Sequence, residues 1–313
     1  MSHFLIVGAG AVGTGVASEL VERGHEVTIA TRHGSGREIL GATHVALDVS
    51  DLDATARLAH GVRAIFNCAN PKYHRWPTDW PPMANSLLHA ATMNGATLVT
   101  TANLYVYGVP HGLMTPHDPL NATYDKARVR VDMWNNALAA HQAGRVNVVE
   151  VRASDFIGAN TNTLFAERVI PKILKGRSVQ VLGSPEAVHS WTYVPDLART
   201  LVAVALDSST WGRAWHAPTN LARSQRDVVN ELCDTAGVGH VEVTSISKAL
   251  IRIGGVFSPM IRELPKTIYQ FEGPFIIEDS DTREKLGLTP TPWHDVLVNT
   301  LSPFVPTRES VTV

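Results

Sequence analysis

The sequence predicts a doubly wound α/β fold, a parallel sheet covered by helices, with a smaller substrate-binding region in the C-terminal half. Three observations carry this. The chain opens with an apolar run that feeds a G-x-G-x-x-G turn, Phe4-Leu5-Ile6-Val7-Gly8-Ala9-Gly10-Ala11-Val12-Gly13. Continuous apolar runs rich in β-branched residues then alternate with helical stretches, the pattern of strands buried on both faces. After about residue 160 the pieces shorten, and Pro and Gly become more frequent.

In chain order, Phe4–Val7 reads as the first strand, followed by a helix over Val16–Arg23. Strand two is Val27–Ala30 within Glu26–Thr31, and strand three is Thr43–Leu47, leading to Asp48. Asp51–His60 reads as a helix and Val62–Cys68 as strand four. Met83–Met93 is helical, Thr97–Thr101 is strand five, a long helix covers about Tyr124–Gln142, and Val146–Val151 is strand six. The dinucleotide-binding domain is placed at residues 1–160. Residues 190–215, with a helix at Pro195–Leu206, return to it. Residues 161–189 and 216–313 form the smaller region, and the polar tail Pro303–Val313 reads as frayed.

Composition excludes several classes. Lys plus Arg is 27 and Asp plus Glu is 29, a net charge of −2, so no basic excess points to nucleic acid or acidic lipid. Residues 4–18 are uncharged, but no Lys or Arg precedes them, and regular glycines suit a phosphate turn better than an export signal. No run approaches the ~20 apolar residues of a membrane span. Two distant cysteines, Cys68 and Cys233, fit a reducing cytoplasm. Without H-E-x-x-H or Cys-x-x-Cys, no metal site is expected. The expected partner is a small-molecule substrate, and a homodimer stays open.

The opening motif has a mechanism. Gly8 permits the tight turn, Gly10 leaves room for a pyrophosphate, and Gly13 lets helix and strand approach, with unpaired N–H groups of the helix N-terminus facing the phosphates. Ala11 and Val12 complete the turn. In this fingerprint an acid at the end of strand two holds the ribose 2′-OH. Here Thr31 and Arg32 stand there, followed by His33-Gly34-Ser35-Gly36-Arg37. A hydroxyl and a guanidinium bind a 2′-phosphate that a carboxylate would repel, so NADP is the expected cofactor. The plainer alternative makes Arg32 a solvated loop residue. Asp48 and Val49 bound the adenine pocket, unless Asp48 only caps the helix that follows.

The chain resembles the extended and atypical branch of the short-chain dehydrogenase/reductase superfamily, which includes the NAD-dependent epimerase/dehydratase family. The resemblance spans nearly the whole length. It rests on Gly8–Gly13, Phe66-Asn67-Cys68-Ala69-Asn70, Val99–Gly108, Arg152–Gly158 and Trp191–Ala198 in this order. It adds Cys68, Ala69 and Asn70 to the cofactor-binding residues. Where the family has T-G-x-x-G-x-x-G, this chain has Ile6-Val7. At the place of the family's active-site Ser or Thr stands Asn103. The family's Y-x-x-x-K becomes Tyr124-Asp125-Lys126-Ala127-Arg128.

The resemblance implies Tyr124 as acid/base, Arg128 as the neighbouring cation and Asn103 as donor to the substrate oxygen. Tyr124 and Arg128, four apart on the expected helix, share a face, while Lys126 points elsewhere. In the alternative, Tyr124 packs at a helix end and Arg128 pairs with Asp132. The substrate end is read along Asn70–Trp76 and Asp79–Pro82, with Tyr73 and Trp76 as binding residues. The same residues alternatively staple a Pro-rich loop. Tyr107, Asp155, Phe156 and His189 join the candidates because the matched segments border the substrate; His189 alternatively packs on Trp191. No arginine cluster awaits a nucleotide-sugar diphosphate.

The expected function is NADP(H)-dependent oxidoreduction of a carbonyl or alcohol on a small organic molecule. The alternatives are an epimerase or dehydratase that retains its nicotinamide, and a non-catalytic NADP(H) sensor.

Overall fold

The computed structural model describes residues 1–304, so most of the tail read at Pro303–Val313 lies outside the described residues. The chain forms two compact units. Unit 1 comprises Met1–Ser154, Pro195–Pro218 and Glu278–Leu288, and unit 2 comprises Asp155–Val194, Thr219–Ile277 and Thr289–Val313. The return of Glu278–Leu288 to the first unit was not read from the sequence.

The first part of the chain runs β1 (His3–Val7), α1 (Ala11–Glu22), β2 (Glu26–Thr31), β3 (Ala42–Ala46), α2 (Leu52–Leu58), β4 (Ala64–Asn67), α3 (Trp76–Asn94), β5 (Thr97–Asn103), α4 (Asp125–Gln142) and β6 (Asn147–Ala153). Next come β7 (Asp155–Ile157), α5 (Leu164–Arg168), α6 (Ile170–Ile173), β8 (Val179–Val181), β9 (Val188–His189), β10 (Trp191–Tyr193) and α7 (Val194–Leu206). The remainder is β11 (Ala214–His216), β12 (Arg223–Ser224), α8 (Gln225–Ala236), β13 (Val243–Ser245), α9 (Lys248–Phe257), α10 (Pro259–Glu263), α11 (Ser280–Leu286) and α12 (Trp293–Leu301).

Unit 1 is built on a seven-stranded sheet in the order β11-β6-β5-β4-β1-β2-β3. Every pairing in it is parallel. A sheet covered on both faces needs apolar residues in unbroken runs, and Phe4, Leu5 and Ile6 of β1 are fully buried. Polar rows interrupt this apolar character. Register aligns Asn67 of β4 with Thr100 of β5 and Thr100 with Glu150 of β6, and both Asn67 and Glu150 are buried.

Among the boundaries that differ from the sequence reading, three concern the segments around Trp76, Asn103 and Tyr124. Helix α3 starts at Trp76, so Asp79–Pro82 is helix and not a lining loop. Pro77 lies in the first turn, where its missing N–H costs nothing. Pro81 and Pro82 are exposed and interrupt the ladder. The buried stripe Trp76, Trp80, Met83, Leu87, Ala90 and Ala91 holds the helix against the core despite them. Strand β5 runs on to Asn103. Helix α4 begins at Asp125, leaving Tyr124 as an N-cap residue in extended conformation (φ −94°, ψ 150°).

Unit 2 holds three short strand pairs, β7 with β10, β9 with β12, and β8 with β13. Its core gathers Ile157, Ile170, Trp191, Val228, Leu232 and Val296. A capping box starts α8: Ser224 receives the N–H of Asp227, and the Asp227 carboxylate receives the N–H of Ser224.

Candidate active site

The turn after β1 is shaped by what its glycines exclude. Gly8 takes φ +106°, and a Cβ there would lie 2.7 Å from the carbonyl oxygen of Cys68. A Cβ on Gly13 would lie 1.9 Å from the carbonyl oxygen of Gly8. Gly10 differs: a Cβ there meets nothing within 4 Å, and its backbone (φ −74°, ψ −175°) suits any residue. Gly10 is the N-cap of α1, without a side-chain cap, and the first turn holds no acid. Ala11 is half-buried and Val12 buried behind it. Exposed N–H groups, a positive helix end and open space at the one glycine not needed for the turn form a cradle for a phosphate. These residues fit a dinucleotide.

Thr31 ends β2, and its hydroxyl donates to the Ser35 carbonyl (2.9 Å). Arg32 is exposed. The loop after it lies against the glycine turn, since a Cβ on Gly36 would sit 2.6 Å from the Ala9 methyl. The sequence reading quoted Gly36 only as loop; its requirement is spatial. Asp48 accepts from both the N–H and the hydroxyl of Ser50 (3.0 and 2.7 Å). These bonds hold its carboxyl below the ordinary range, with the charge of Arg32 adding to them. Asp48 does not cap α2; Asp51 does, accepting from the N–H of Ala54. Val49 is buried in the core.

Cys68 follows β4, its Sγ 3.6 Å from the Thr101 hydroxyl. Burial pushes its thiol up to about 12, so it stays protonated and borders the turn as a small apolar group. Ala69 is half-buried and Asn70 exposed.

The catalytic template meets a different geometry. Asn103 closes β5, and its Oδ1 accepts from the N–H of Tyr105 (3.2 Å), which leaves the amide NH2 as its donor end. Tyr124 is the N-cap of α4, and its carbonyl accepts the first helical bond from the N–H of Arg128 (3.0 Å). Arg128 is exposed. The inward cations of α4 are Lys126 and Arg130, 3% and 4% exposed. The Lys126 Nζ lies 4.1 Å from the Tyr73 ring centre. Tyr73 packs on Tyr105 (6.3 Å between centres), and Tyr105 on Tyr124 (6.0 Å). Arg130 donates to the Thr101 carbonyl (2.7 Å) and covers the Trp80 ring. Lys126, expected to point away from Tyr124, is buried over the Tyr73 ring.

Two aromatic candidates, Trp76 and Tyr107, are buried. Trp76 is 4% exposed in the core, and its Nε1 donates to the Pro71 carbonyl. Tyr107 is buried in a hydrogen-bond chain. Arg152 Nε donates to Glu150 (2.8 Å), and Arg152 Nη1 donates to the Tyr107 oxygen (2.8 Å). The Tyr107 hydroxyl lies 2.7 Å from His216 Nε2, and His216 Nδ1 lies 2.8 Å from the Glu278 carbonyl. A carbonyl only accepts, so the proton sits on Nδ1 and Tyr107 donates to Nε2. Burial pushes the Tyr107 phenol up to about 12 and the His216 imidazole down to about 3. Sequence reasoning missed this chain because its members are far apart in order.

In unit 2, His189 is fully buried between Phe271 and Phe275, both nearly parallel to it, with Trp191 on its edge. Its Nδ1 faces the Gln270 carbonyl (3.2 Å) and its Nε2 faces Asp155 Oδ2 (2.8 Å). His189 itself is closed to a ligand, whereas the Asp155 side chain is 40% exposed. Phe156, half-buried, lies beside Thr192 across the β7–β10 pair.

Among the described residues, no cluster of three or more His, Cys, Asp or Glu could hold a metal ion, and no helix is long and apolar enough to cross a membrane.

The model of the NAD dependent epimerase/dehydratase family matches residues 4–215. No curated protein sequence matches the chain. Similar solved structures include MoeE5 in complex with UDP-glucose and NAD, at 19% identity over 96% of this chain and 97% of that one, TM-score 0.76. Another is a double mutant of DesIV, the dTDP-glucose 4,6-dehydratase of Streptomyces venezuelae, with NAD and DAU bound, at 19% identity over 98% of both chains, TM-score 0.77. A third is the UDP-glucose 4-epimerase of Thermotoga maritima with UDP-glucose, at 16% identity over 96% and 98%, TM-score 0.79.

Proposed function

Because the chain belongs to the NAD dependent epimerase/dehydratase family, we propose that it binds NADP(H) and reduces a carbonyl, or oxidises an alcohol, on a small organic molecule. The observation that carries this is the open Gly10 position at the uncapped start of α1. Gly8, Gly10, Ala11, Val12 and Gly13 would hold the pyrophosphate. Thr31 and Arg32, in the place of an acid, would hold the 2′-phosphate. The bound nicotinamide supplies or accepts a hydride.

The chain's own residues handle the oxygen and its proton. The Asn103 amide donates to the substrate carbonyl and stabilises the oxyanion. The Tyr124 hydroxyl gives its proton to that oxygen in reduction and takes it back in oxidation. The cation that favours the phenolate is Lys126, buried in the same aromatic cluster, and not the exposed Arg128. The two free thiols support cytoplasmic residence.

Calorimetric titration with NADP⁺ and NAD⁺, followed by cofactor consumption against a panel of aldehydes and ketones, tests the proposal. Tighter NAD⁺ binding sinks the cofactor assignment. Cofactor that stays bound, with no net consumption while a sugar nucleotide is converted, replaces the reaction with epimerase or dehydratase chemistry. That second reading is supported by the family and by the structural likeness to such enzymes.

A further inference from the structure

We propose that Gly36 is a specificity-determining residue of the dinucleotide site. Without a side chain it lets the β2–β3 loop close on Ala9, and so holds the loop's cations where they meet the cofactor's 2′-phosphate. The role of Gly36 rests on the NADP(H) binding proposed above and names the residue that makes that preference possible.

The loop between β2 and β3 is tied down by its own turn. The N–H of Gly34 donates to the Thr31 carbonyl (3.2 Å), and the Thr31 hydroxyl donates to the Ser35 carbonyl (2.9 Å). Gly34 is a glycine for conformation, with φ +65° and a Cβ position 3.1 Å from the backbone nitrogen of Ala46. Gly36 differs. It is not among the glycines of positive φ, so no left-handed backbone demands a glycine there. What a side chain meets is space already taken. A Cβ on Gly36 would lie 2.6 Å from the Ala9 methyl and 3.1 Å from His44 Cε1. The first distance is well inside van der Waals contact, so a side chain at this position and closure of the loop exclude each other.

Ala9 stands between Gly8 and Gly10 in the turn that fits the pyrophosphate. In a dinucleotide the adenosine ribose is joined directly to that pyrophosphate, so a loop seated on the turn is one sugar away from it. Arg32, His33 and Arg37 of the loop are exposed, and Glu38 is the only acid among residues 32–38. A dianionic phosphate suits such a loop, because guanidinium groups hold phosphate oxygens by charge-assisted bonds. With the loop lifted off Ala9, its cations would leave the ribose while the glycine turn and the start of α1 stay intact. Preference between the two cofactors, and not binding as such, is what depends on Gly36.

The test is calorimetric titration of the full chain with NADP⁺ and NAD⁺, in wild type, Gly36→Ala, Ala9→Gly and the double variant. Gly36→Ala is expected to weaken NADP⁺ at least about tenfold, as for the loss of a hydrogen bond to a charged group. It should leave NAD⁺ within about twofold, the scatter of an uncoupled site. Ala9→Gly removes the methyl that Gly36→Ala would strike, so the double variant should bind NADP⁺ within about threefold of Ala9→Gly alone. That rescue marks the contact itself, since a general loosening of the loop is not undone by a smaller residue in the turn. Melting curves verify folding. A wild type that prefers NAD⁺ overturns NADP(H) binding and the role of Gly36 together. With a wild type that prefers NADP⁺, the role of Gly36 alone is overturned if Gly36→Ala keeps the preference, weakens both cofactors equally, is not rescued by Ala9→Gly, or does not fold.

Discussion

Lys126 holds its Nζ 4.1 Å from the centre of the Tyr73 ring, while Arg128, two residues on, is exposed. On the proposed mechanism Lys126, and not Arg128, is the cation that acts on the phenol. Lys126→Met should lower kcat by about 10²–10⁴, the share of acid–base catalysis that depends on the cation. Arg128→Met should stay within about threefold of wild type, as an exposed charge acts through water. Lys126→Arg should recover part of the loss. Steady-state kinetics, with cofactor affinity measured separately, checks this, and a larger loss for Arg128→Met would restore the Y-x-x-x-R template.

Tyr124→Phe should likewise remove about 10²–10⁴ in rate with cofactor binding unchanged by calorimetry. Turnover near wild type would pass the proton-transfer role to another tyrosine of the cluster. Tyr73, beneath the Lys126 ammonium, is then the next to replace.

Gly10→Val and Gly13→Ala should separate binding from folding. Gly10 has extended angles and open surroundings, so the valine variant should melt near wild type yet bind no dinucleotide. A methyl on Gly13 drives into the Gly8 carbonyl and should destabilise by about 1–3 kcal/mol or more. Differential scanning fluorimetry with and without NADP⁺ distinguishes the two.

Arg32→Ala should weaken NADP⁺ by about 1.5–3 kcal/mol, the range for a hydrogen bond to a charged group, and leave NAD⁺ nearly unchanged. Because Arg32 also acts on Asp48, Asp48→Asn should strengthen NADP⁺ slightly. An equal loss for both cofactors on replacing Arg32 would reduce it to a general surface charge.

His216 gives a pH prediction. Its folded value, about 3, lies below the ordinary 6.5 because of burial. The unfolded chain therefore binds a proton in this interval that the folded chain refuses. The stability held by neutral His216 is complete above about pH 6.5 and is lost as pH falls toward 3, at up to about 1.4 kcal/mol per pH unit. Urea unfolding between pH 4 and 7 should show this slope in wild type and a shallower one in His216→Gln. Parallel curves would remove His216 from the account.

The parts of the fold legible in the sequence are those where local chemistry and tertiary demand coincide. β1 is an unbroken apolar run because both sheet faces are covered, and Gly8 and Gly13 are glycines because any Cβ collides. The start of α3 was illegible because Pro77, Pro81 and Pro82 read as breakers, while the Trp76, Trp80 and Leu87 stripe that overrides them acts only through the core. The site was legible by order but not by side. Arg128 is exposed and Lys126 is buried over Tyr73 because aromatic residues of other elements cover that end of α4, which a count along one helix does not see. Gly36, Glu150 and His216 carry no local signal, since their partners are supplied by other strands and loops.

In the hydrogen-bond chain through Glu150, Arg152, Tyr107 and His216, Arg152 gives on both sides, to Glu150 and to Tyr107, while Tyr107 gives to His216 and His216 to the Glu278 carbonyl. Such a chain insulates and does not conduct: the guanidinium only donates, so no proton can be passed through it. Within it, His216 takes up a proton only near pH 3 and Tyr107 loses one only near pH 12. Near neutrality both therefore stay uncharged. Any pH response of turnover near neutrality must then arise from other groups.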